Sequence, residues 1–376
     1  MIIALYIITG LYFILMLSFI YGFRRLNTFE VNHLVIETNF SVIIPFRNEA
    51  QNLPQLLDSL ENLAYSKDRF EVLFVDDDSE DNSIQIIQEH LKDSRINFQI
   101  LSNQRSSNSP KKDAIKTAIG QSKFEWILTT DADCILPSKW LLTYSSFIEK
   151  KPSEMVVGPV SYTPVEYSFV ENFQILEFLS LQGTTMGGFG IGKPFLCNGA
   201  NLAYKKDTFL TLNGFDGNDQ IASGDDVFLF EKFIQTHPKK VHFLKSTSAL
   251  VETLPLKSWP EVIQQKTRWA AKSGSYSLLF TKFVGLIVFL MNLSMIVSFL
   301  LFLWDLQHYQ TLLFVCLLKV GVDYYLIFLT SHFYRGEKEE IRDAGFSSIL
   351  YPFFSTYIAF RSIFVQYAWK GRKFKK

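Results

Sequence analysis

The sequence predicts an α/β protein in which a mixed, mostly parallel sheet lies between N- and C-terminal transmembrane helices. Ile2–Tyr21 and Phe283–Leu303 contain no charged residue, and strand and helix patterns alternate between them. About 20 apolar helical residues cross a ~30 Å hydrocarbon core. The chain therefore divides into an anchor at 1–25, a soluble domain at 38–275 and a membrane region at 280–376.

The composition excludes several classes of protein. The chain has 376 residues, of which 48% are hydrophobic, and its 37 basic and 37 acidic side chains leave no net charge. Disordered chains combine low hydrophobicity with high net charge, and nucleic-acid-binding proteins carry a positive field. Three cysteines are too few for a disulfide scaffold. We therefore expect a folded protein with no nucleic-acid partner.

The N-terminal run has the features of a retained anchor. Arg24 and Arg25 follow it and no Lys or Arg precedes it, whereas a cleavable signal peptide begins with basic residues. Basic residues favour the cytoplasmic side of a membrane. We expect an integral membrane protein with its N-terminus outside and its soluble domain in the cytoplasm. The alternative is a buried core helix.

The soluble domain alternates between strand and helix patterns. Phe40–Pro45 is a short apolar run with β-branched residues, and leucines at helical spacing follow over 52–63. The other predicted strands are Phe70–Val75, Phe98–Leu101 and Phe124–Leu128, and the other helices begin near Ser83 and Asp113. Such alternation is typical of a helix-covered parallel sheet whose ligands bind beyond the carboxyl ends of the strands.

Three of these strands end in polar residues. They are Arg47 and Glu49 after the first strand, Asp76, Asp77 and Asp78 after the second, and Asp131 and Asp133 after the fourth. Carboxylates at one sheet edge repel one another unless a cation or hydrogen-bond donors hold them. Hard oxygen ligands suit Mg²⁺ or Mn²⁺ bound to substrate phosphates. One cluster alone could cap a helix, but three together favour a metal and phosphate site.

Other motifs are missing or weak. The sequence contains no Gly-rich phosphate loop ending in Gly-Lys-Ser/Thr, and Gly187-Gly188-Phe189-Gly190 follows an apolar helical stretch, so we interpret it as a mobile loop. Cys134 and Cys197 have no histidine at metal-ligand spacing, which leaves zinc unsupported.

The C-terminal region holds two further spans and one segment with two interpretations. The span at Thr311–Thr330 carries Lys319 and Asp323, which lie four residues apart and can pair on one helical face. Phe346–Trp369 is interrupted by a proline and an arginine, and five basic residues follow it. A crossing helix would place those charges outside, so an interfacial or re-entrant helix is favoured.

Six motifs occur in order along the soluble domain. They are Ser41-Val42-Ile43-Ile44-Pro45 with Asn48-Glu49, Val75-Asp76-Asp77, Asp131-Ala132-Asp133, Asn198-Gly199-Ala200-Asn201, Gly224-Asp225-Asp226 and Gln265-Lys266-Thr267-Arg268-Trp269. With them the chain resembles the membrane-bound, inverting family-2 glycosyltransferases, which include cellulose and hyaluronan synthases and ceramide glucosyltransferases. The resemblance covers about residues 38–275 and implies a Rossmann-like GT-A fold.

The resemblance implies a donor pocket and a metal site. The residues that would contact the nucleotide sugar are Pro45, Arg47, Glu49, Asp76, Asp77, Lys111 and Asp131. Asp131 and Asp133 match the pair that binds Mg²⁺ or Mn²⁺ together with the diphosphate, and Asp133 is the more direct ligand of the two.

The same resemblance implies the acid–base and acceptor residues. Asp226 matches the general base and Asp225 lies beside it, while Gln265, Arg268 and Trp269 match an element near the acceptor and the diphosphate. The chemistry agrees, because a cation and Arg268 can stabilise the charge on the departing diphosphate. Asp226 can accept the proton of the acceptor hydroxyl. Trp269 is either a platform for a sugar or a packing residue.

Three positions depart from the family pattern. Asp78 stands where Gly is usual, so that turn either avoids positive φ or holds a strained residue. Pro110 stands where a Gly usually precedes Lys111, and Asp225 replaces a Glu, which leaves open which carboxylate is the base. Asn198–Asn201 lies either in the acceptor site or in a structural turn.

The predicted function is transfer of a sugar from a nucleotide sugar, UDP-linked, to a membrane-associated lipid or glycan. Helices at Tyr167–Leu181 and Ser258–Ser273 would lie on the membrane surface beside the acceptor, or else pack in the core. One alternative is a processive polysaccharide synthase, and another is an inactive membrane-anchored nucleotide-binding scaffold. The small membrane region and the ending Trp369–Arg372, which is similar to the tail of some lipid glycosyltransferases, favour single transfer.

Overall fold

The computed structural model describes residues 1–31, 37–218, 223–335 and 343–365, and the backbone of 367–369 and 372–374. The helices are α1 (Ile2–Arg25), α2 (Leu53–Glu61), α3 (Ser83–His90), α4 (Pro110–Gln121), α5 (Trp140–Lys150), α6 (Phe169–Gly190), α7 (Lys206–Thr211), α8 (Asp225–Thr236), α9 (Trp259–Ala271), α10 (Leu279–Trp304), α11 (Tyr309–Arg335) and α12 (Ala344–Phe364). The strands are β1 (Phe40–Phe46), β2 (Phe70–Asp76), β3 (Asn97–Ser102), β4 (Trp126–Thr129), β5 (Cys134–Ile135), β6 (Met155–Val157), β7 (Val160–Tyr162), β8 (Leu202–Lys205), β9 (Val241–Phe243), β10 (Val251–Thr253), β11 (Tyr367–Trp369) and β12 (Arg372–Phe374).

The central sheet is mixed and mostly parallel, which confirms the predicted fold class. Its strand order is β3-β2-β1-β4-β8-β6-β9, and β5-β10-β7 forms a smaller sheet. β1 pairs in parallel with both β2 and β4, so that Phe40 lies opposite Phe70 on one side and Trp126 on the other. β8 runs antiparallel to β4 and β6. The parallel half therefore brings the carboxyl ends of β1, β2 and β4 to one edge.

The predicted strand at the centre of the sheet is buried on both faces. Phe40, Val42, Ile43 and Ile44 in β1 are all 0% exposed. An apolar run without alternation is what a central parallel strand requires, because helices cover both sides. α4 begins at Pro110 instead of near Asp113. Proline is favoured in the first helical turn because its missing N–H would be unpaired there.

Within the described chain, α1, α10 and α11 are long and apolar enough to cross a membrane. These are the three spans that the sequence predicts. α12 is not among them, and it packs against α9 of the soluble domain as well as against α10. Its interfacial placement stays a prediction. The side chains of Trp369–Arg372 and of the basic tail lie outside the described residues.

A glycine-lined crossing joins the anchor to the soluble domain. The predicted mobile loop at Gly187–Gly190 is wrong, because these residues form the last turn of α6. A Cβ on Gly190 would lie 1.8 Å from the carbonyl oxygen of Gly22 in α1, and one on Gly187 would lie 2.4 Å from that of Phe19. Small residues allow helix backbones to approach this closely. The glycines therefore serve packing between α1 and α6.

The predicted pair in α11 is formed and has a third member. Lys319 Nζ lies 2.6 Å from Asp323 Oδ2, and the Tyr12 hydroxyl of α1 donates to Asp323 Oδ1 at 2.6 Å. Charges within a membrane are costly unless they are paired. The pair and its tyrosine therefore join α1 to α11, and this bonding favours the structural interpretation.

Candidate active site

A cleft of about 730 Å³ opens where β1, β2 and β4 end, and α4, α6, α8 and α9 supply its other walls. The sequence-predicted residues that line it are Pro45, Arg47, Glu49, Asp77, Lys111, Asp131, Asp133, Asp225, Asp226, Gln265, Arg268 and Trp269. Asp76 does not line it. Its carboxylate instead accepts a hydrogen bond from the Ser79 backbone N–H at 3.0 Å, so Asp76 shapes the turn after β2.

The guanidinium of Arg47 ties together the turns after β1 and β2. Arg47 is 9% exposed, donates to the carbonyl oxygen of Asp77 at 2.6 Å and also to that of Asp78, and pairs with Glu80 at 2.8 Å. Asp78, which stands where the family usually has glycine, has a φ of 57°. The turn keeps positive φ and holds a strained residue, and Arg47 is the cross-link that stabilises it.

Asp77 lines the cleft, and hydrogen-bond donors surround its carboxylate. It is 4% exposed, and its Oδ1 accepts from the Asn103 side-chain amide at 2.7 Å and from Arg105 at 3.3 Å. Arg105 also pairs with Asp113 in the first turn of α4, at 3.4 Å. These contacts fix the carboxylate of Asp77 in orientation.

Lys111 lies between two acidic motifs that are far apart in sequence. Its Nζ is 2.6 Å from Asp131 Oδ1 and 3.3 Å from Asp225 Oδ2. Burial opposes its charge, but Asp131 and Asp225 hold the pKa of Lys111 well above its usual value. The N1 proline Pro110 places this lysine in the first turn of α4, facing the ends of β4 and α8.

Asp131 and Asp133 fit a hydrated cation. Burial, with help from Asp131 and Glu49, raises the pKa of Asp133 to about 6, so this carboxyl group lies where an added positive charge would be favoured. The described residues contain no group of three or more His, Cys, Asp or Glu side chains suited to a metal. Mg²⁺ commonly binds through one or two carboxylates, waters and substrate phosphates, which this donor set can provide.

Asp226 is held at the start of α8 by three donors. Its Oδ1 accepts from the Val227 N–H at 2.7 Å and lies 3.4 Å from Lys272 Nζ, and its Oδ2 accepts from the Gly199 N–H at 3.3 Å. Burial alone would raise the pKa of Asp226, but Lys272 and Lys111 hold it below its usual value. A Cβ on Gly199 would lie 3.1 Å from Asp225 Oδ2, so glycine keeps this corner open.

α9 carries Gln265, Arg268 and Trp269 along the cleft. Lys266 on the same helix pairs with Glu177 of α6 at 2.6 Å, and its ammonium lies 4.2 Å from the centre of the Trp269 ring. One face of the indole is therefore fixed by a cation–π contact.

Asn201 has a structural role and does not line the cleft. It is 0% exposed, and its side-chain oxygen accepts from Trp140 and Tyr144 while its nitrogen donates to two carbonyl groups. Asn198 caps the Ala200 N–H at 3.0 Å. The structural-turn interpretation of Asn198–Asn201 therefore fits the side-chain bonding, although Asn198 and Gly199 also line the cleft.

Part of the lining of the cleft is apolar. This part includes Phe178 and Leu181 from α6, Leu196, Leu254 and Leu256. Leu196 also packs against the cluster formed by the helices α1, α10 and α11. The cleft therefore combines charged and apolar lining residues, and part of its apolar lining packs against the membrane helices.

Comparison with known families agrees with this geometry. The model described as "Glycosyl transferase family 2" matches residues 41–208, and "Glycosyl transferase family group 2" matches residues 126–332, which is more than half of the chain. The chain belongs to glycosyltransferase family 2.

Curated proteins similar to this family 2 glycosyltransferase come from bacteria and archaea. "Probable glycosyltransferase YdaM" of Bacillus subtilis is 26% identical over 258 residues, covering 66% of this chain and 60% of that protein. "Glycosyltransferase AglE" of Haloferax volcanii is 31% identical over 186 residues, covering 49% and 58%. "Poly-beta-1,6-N-acetyl-D-glucosamine synthase" of Staphylococcus epidermidis is 24% identical over 272 residues, covering 69% and 60%. The matched region thus spans no more than 60% of the relatives' length in these comparisons.

A solved structure shares the fold over nearly the whole chain. The mannosyltransferase PcManGT from Pyrobaculum calidifontis, solved in complex with GDP-Man and Mn²⁺, aligns with a TM-score of 0.59 at 16% identity. The alignment covers 97% of this chain and 99% of that one. The two chains therefore share a fold over nearly their whole length.

Several residues that contact the predicted site residues of this family 2 glycosyltransferase are not predicted from its sequence. Asn103 and Arg105 follow a short strand with no acidic motif, and Lys272 lies three residues beyond the last motif. Glu177 lies in a mostly apolar helix. Only the spacing of Lys272 four residues after Arg268, on one face of a helix, could have signalled its place in the cleft.

Proposed function

We propose that this chain transfers a sugar, with inversion, from a UDP-linked or related nucleotide sugar to a hydroxyl of a membrane-associated lipid or glycan. One observation carries the proposal: Asp77, Asp131, Asp133, Asp226 and Arg268 all line a single cleft. That cleft is larger than a buried-water cavity and also has apolar side chains in its lining. Family membership supports the reaction class.

The turns after β1 and β2 form the nucleotide side of the proposed site. Asp77 presents an oriented carboxylate, and Pro45, Arg47 and Glu49 complete the surface at the strand ends. A carboxylate accepts hydrogen bonds from base or ribose groups without competing donors of its own. We assign base and ribose binding to these residues. The similar fold of PcManGT, whose structure contains GDP-Man, supports the donor class and leaves the base a matter for experiment.

Departure of the diphosphate requires positive charge at the centre of the cleft. Asp131 and Asp133 would hold Mg²⁺ or Mn²⁺, which would neutralise charge developing on the leaving group. Arg268 of α9 and Lys111 of α4 both line this region and supply fixed cations. Their attraction to the diphosphate grows as the glycosidic bond breaks, so it lowers the barrier.

Asp226 is the group that would accept the acceptor proton. It lines the cleft, and the Val227 and Gly199 backbone N–H groups fix its carboxylate. As the acceptor oxygen attacks the anomeric carbon, its proton passes to Asp226 and the bonding electrons leave with the diphosphate. A single displacement inverts the anomeric centre and needs no covalent enzyme intermediate. Asp225, whose carboxylate pairs with Lys111, is the alternative base.

The acceptor side faces the membrane. Phe178, Leu181 and Leu256 line the cleft, and α6 is packed directly on α1. An acceptor held in the cytoplasmic leaflet could present its hydroxyl without leaving the bilayer. Arg24 and Arg25 at the end of α1 support a cytoplasmic position for this side, because basic residues favour the cytoplasmic side of a membrane.

The proposal is tested with the full chain in detergent or nanodiscs, using UDP-sugars with Mg²⁺ or Mn²⁺ and lipid extracts. Asp226→Asn keeps the shape of the base but removes its charge, so transfer should fall by about 10²–10⁴-fold. Asp207→Asn, on an exposed aspartate of α7, is the matched control and should retain activity. Transfer by Asp226→Asn at the control rate would contradict the proposed base.

A processive synthase is the second candidate, because one relative is named as a poly-β-1,6-N-acetyl-D-glucosamine synthase. Product length distinguishes the two. A single added sugar per acceptor supports the first proposal, and a ladder of oligosaccharides supports the synthase. Nucleotide binding with no turnover in the wild type, under every donor, would instead indicate an inactive scaffold.

A further inference from the structure

Lys272 is a second cation on the same face of α9 as Arg268. It caps the C-terminal end of that helix, and both residues line the cleft. Residues four apart on a helix lie side by side. The Lys272 side chain is 11% exposed, and its Nζ lies 3.4 Å from Asp226 Oδ1. The ammonium therefore lies beside the assigned base and in the same cleft as Arg268, which is assigned to the diphosphate.

The bond from Lys272 to Asp226 is long for a bond between charged groups and, at 3.4 Å, is close in length to the 3.3 Å bond from Gly199. Charge-assisted N–H···O bonds are usually about 2.7–2.9 Å long, whereas this one is 3.4 Å. The Val227 N–H bonds the same oxygen at 2.7 Å, and the Gly199 N–H bonds the other. The carboxylate would thus keep its place if the ammonium moved away.

Other charged and titratable groups surround this ion pair. They are Lys111 from α4, Asp225 from α8, Arg268 from α9, and Tyr276 and Cys197 from adjoining segments. Lys111 is engaged with Asp131 and Asp225 at 2.6 and 3.3 Å. Lys272 is therefore the cation whose removal would change the charge next to Asp226 most directly.

We propose that Lys272 leaves Asp226 to bind the diphosphate of the donor, so that donor binding releases the carboxylate that accepts the acceptor proton. This inference rests on the proposed function. A diphosphate bound at Arg268 offers several anionic oxygens, and an ammonium with three donors suits them. Lys272 then stabilises the leaving group while the proton of the acceptor passes to Asp226 and the bond from sugar to phosphate breaks.

The exchange couples two steps of the reaction. Before donor binding, the ammonium of Lys272 makes Asp226 a weak base. After the exchange, a buried carboxylate remains without that partner, and burial favours its protonated form. Asp226 therefore becomes a stronger base only when a sugar is present to be transferred.

The first test compares binding of UDP and uridine, and of GDP and guanosine in parallel, to the full chain in detergent. The variants are Lys272→Met, Lys272→Arg and the control Lys257→Met, whose side chain is 73% exposed. Lys272→Met should weaken binding of the diphosphate by about tenfold, the loss of one hydrogen bond to a charged group, and leave nucleoside binding unchanged. Lys272→Arg and Lys257→Met should bind both as the wild type does. Equal diphosphate affinity for wild type and Lys272→Met overturns the proposal.

The second test compares pH profiles of transfer. For the donor, kcat/KM reports groups of the unliganded enzyme and kcat those of the complex. In the wild type, the acid limb of kcat should lie at higher pH than that of kcat/KM, because Asp226 is released only in the complex. In Lys272→Met the two limbs should coincide, and Lys272→Arg should restore their separation. If Lys272 had only a structural role, Lys272→Met would lower the rate but leave the two acid limbs separated as in the wild type. That result would overturn the proposal. A wild type that transfers no sugar refutes the proposed function instead, and the diphosphate binding test then decides on Lys272.

Discussion

The proposed donor and acceptor halves of the cleft are built in different ways. On the donor half, Arg47, Asp77 and Asp131 come directly from the ends of neighbouring parallel strands, and backbone register brings them together. On the acceptor half, Asp226 and Trp269 come from α8 and α9, and ion pairs add to the backbone hydrogen bonds that hold Asp226. Lys272 contacts Asp226, and Lys266 joins Glu177.

This difference separates rigid from adjustable parts of the site. A strand end is fixed by the hydrogen bonds of the sheet and by a fully buried core, so donor residues have little freedom. Charged side chains that join helices by ion pairs can exchange partners when a charged ligand enters the cleft. The donor half is therefore expected to bind without rearrangement, and the acceptor half to respond to the bound donor.

The largest expected effect comes from separating the acceptor half from the membrane. Gly190→Leu would place side-chain atoms against the Gly22 backbone, where a Cβ already lies 1.8 Å from the carbonyl oxygen. Because backbone cannot move aside, we expect destabilisation of about 3 kcal/mol or more, measured as a lower Tm, with loss of transfer to membrane acceptors. Gly285→Leu in α10 is the control, since nothing lies within 4 Å of its Cβ position. Equal Tm values for the two variants would contradict the close crossing.

The next effect tests the rigidity of the donor half. Asn103→Ala removes the 2.7 Å bond to Asp77, so the carboxylate loses part of its orientation. We expect the donor KM to rise by about tenfold with kcat within about twofold of wild type. Gln104→Ala, at an exposed neighbour, should change neither constant. A fall in kcat at unchanged KM would show that Asp77 acts on chemistry and not on donor binding.

A smaller effect is expected when the acceptor half loses one ion pair. Glu177→Gln weakens the 2.6 Å bond to Lys266 and so the support of the Trp269 ring. The KM for the acceptor should rise about fivefold, or ~1 kcal/mol, while the donor KM stays constant. Lys266→Met should give a similar change, and the double variant should be no worse than either single one. Additive losses would mean that the two residues act separately.

The smallest effect separates the pH dependence of folding from that of the reaction. Burial, and then Lys151, lowers the pKa of His242 in β9 from 6.5 to about 4. The unfolded chain binds this proton between those values and the folded chain does not, so stability falls as pH drops from about 6.5 to about 4. His242→Gln should flatten that part of the Tm profile without moving the acid limbs of the rate profiles. An unchanged Tm profile would rule out His242 as its source.

Much of the fold and of the donor half could be predicted from the sequence because both depend on local patterns. Apolar runs predicted β1 and β2, and the polar residues just after them lie at the edge of the sheet where the parallel strands end. The three spans follow from length and hydropathy. The glycines of 187–190 misled the prediction, since glycine is typical both of loops and of close helix crossings, and only the position of α1 distinguishes the two.

Sequence alone determined which residue types meet at the strand ends, because strand direction and register are set by neighbouring residues along the chain. Only the tertiary structure decided which cation faces which carboxylate. Lys111 meets Asp225, and Lys272 meets Asp226, across 114 and 46 positions of sequence. Those pairings depend on how α4, α8 and α9 pack around one cleft. The charge of a side chain does not by itself indicate which residue, far away in the sequence, it will contact.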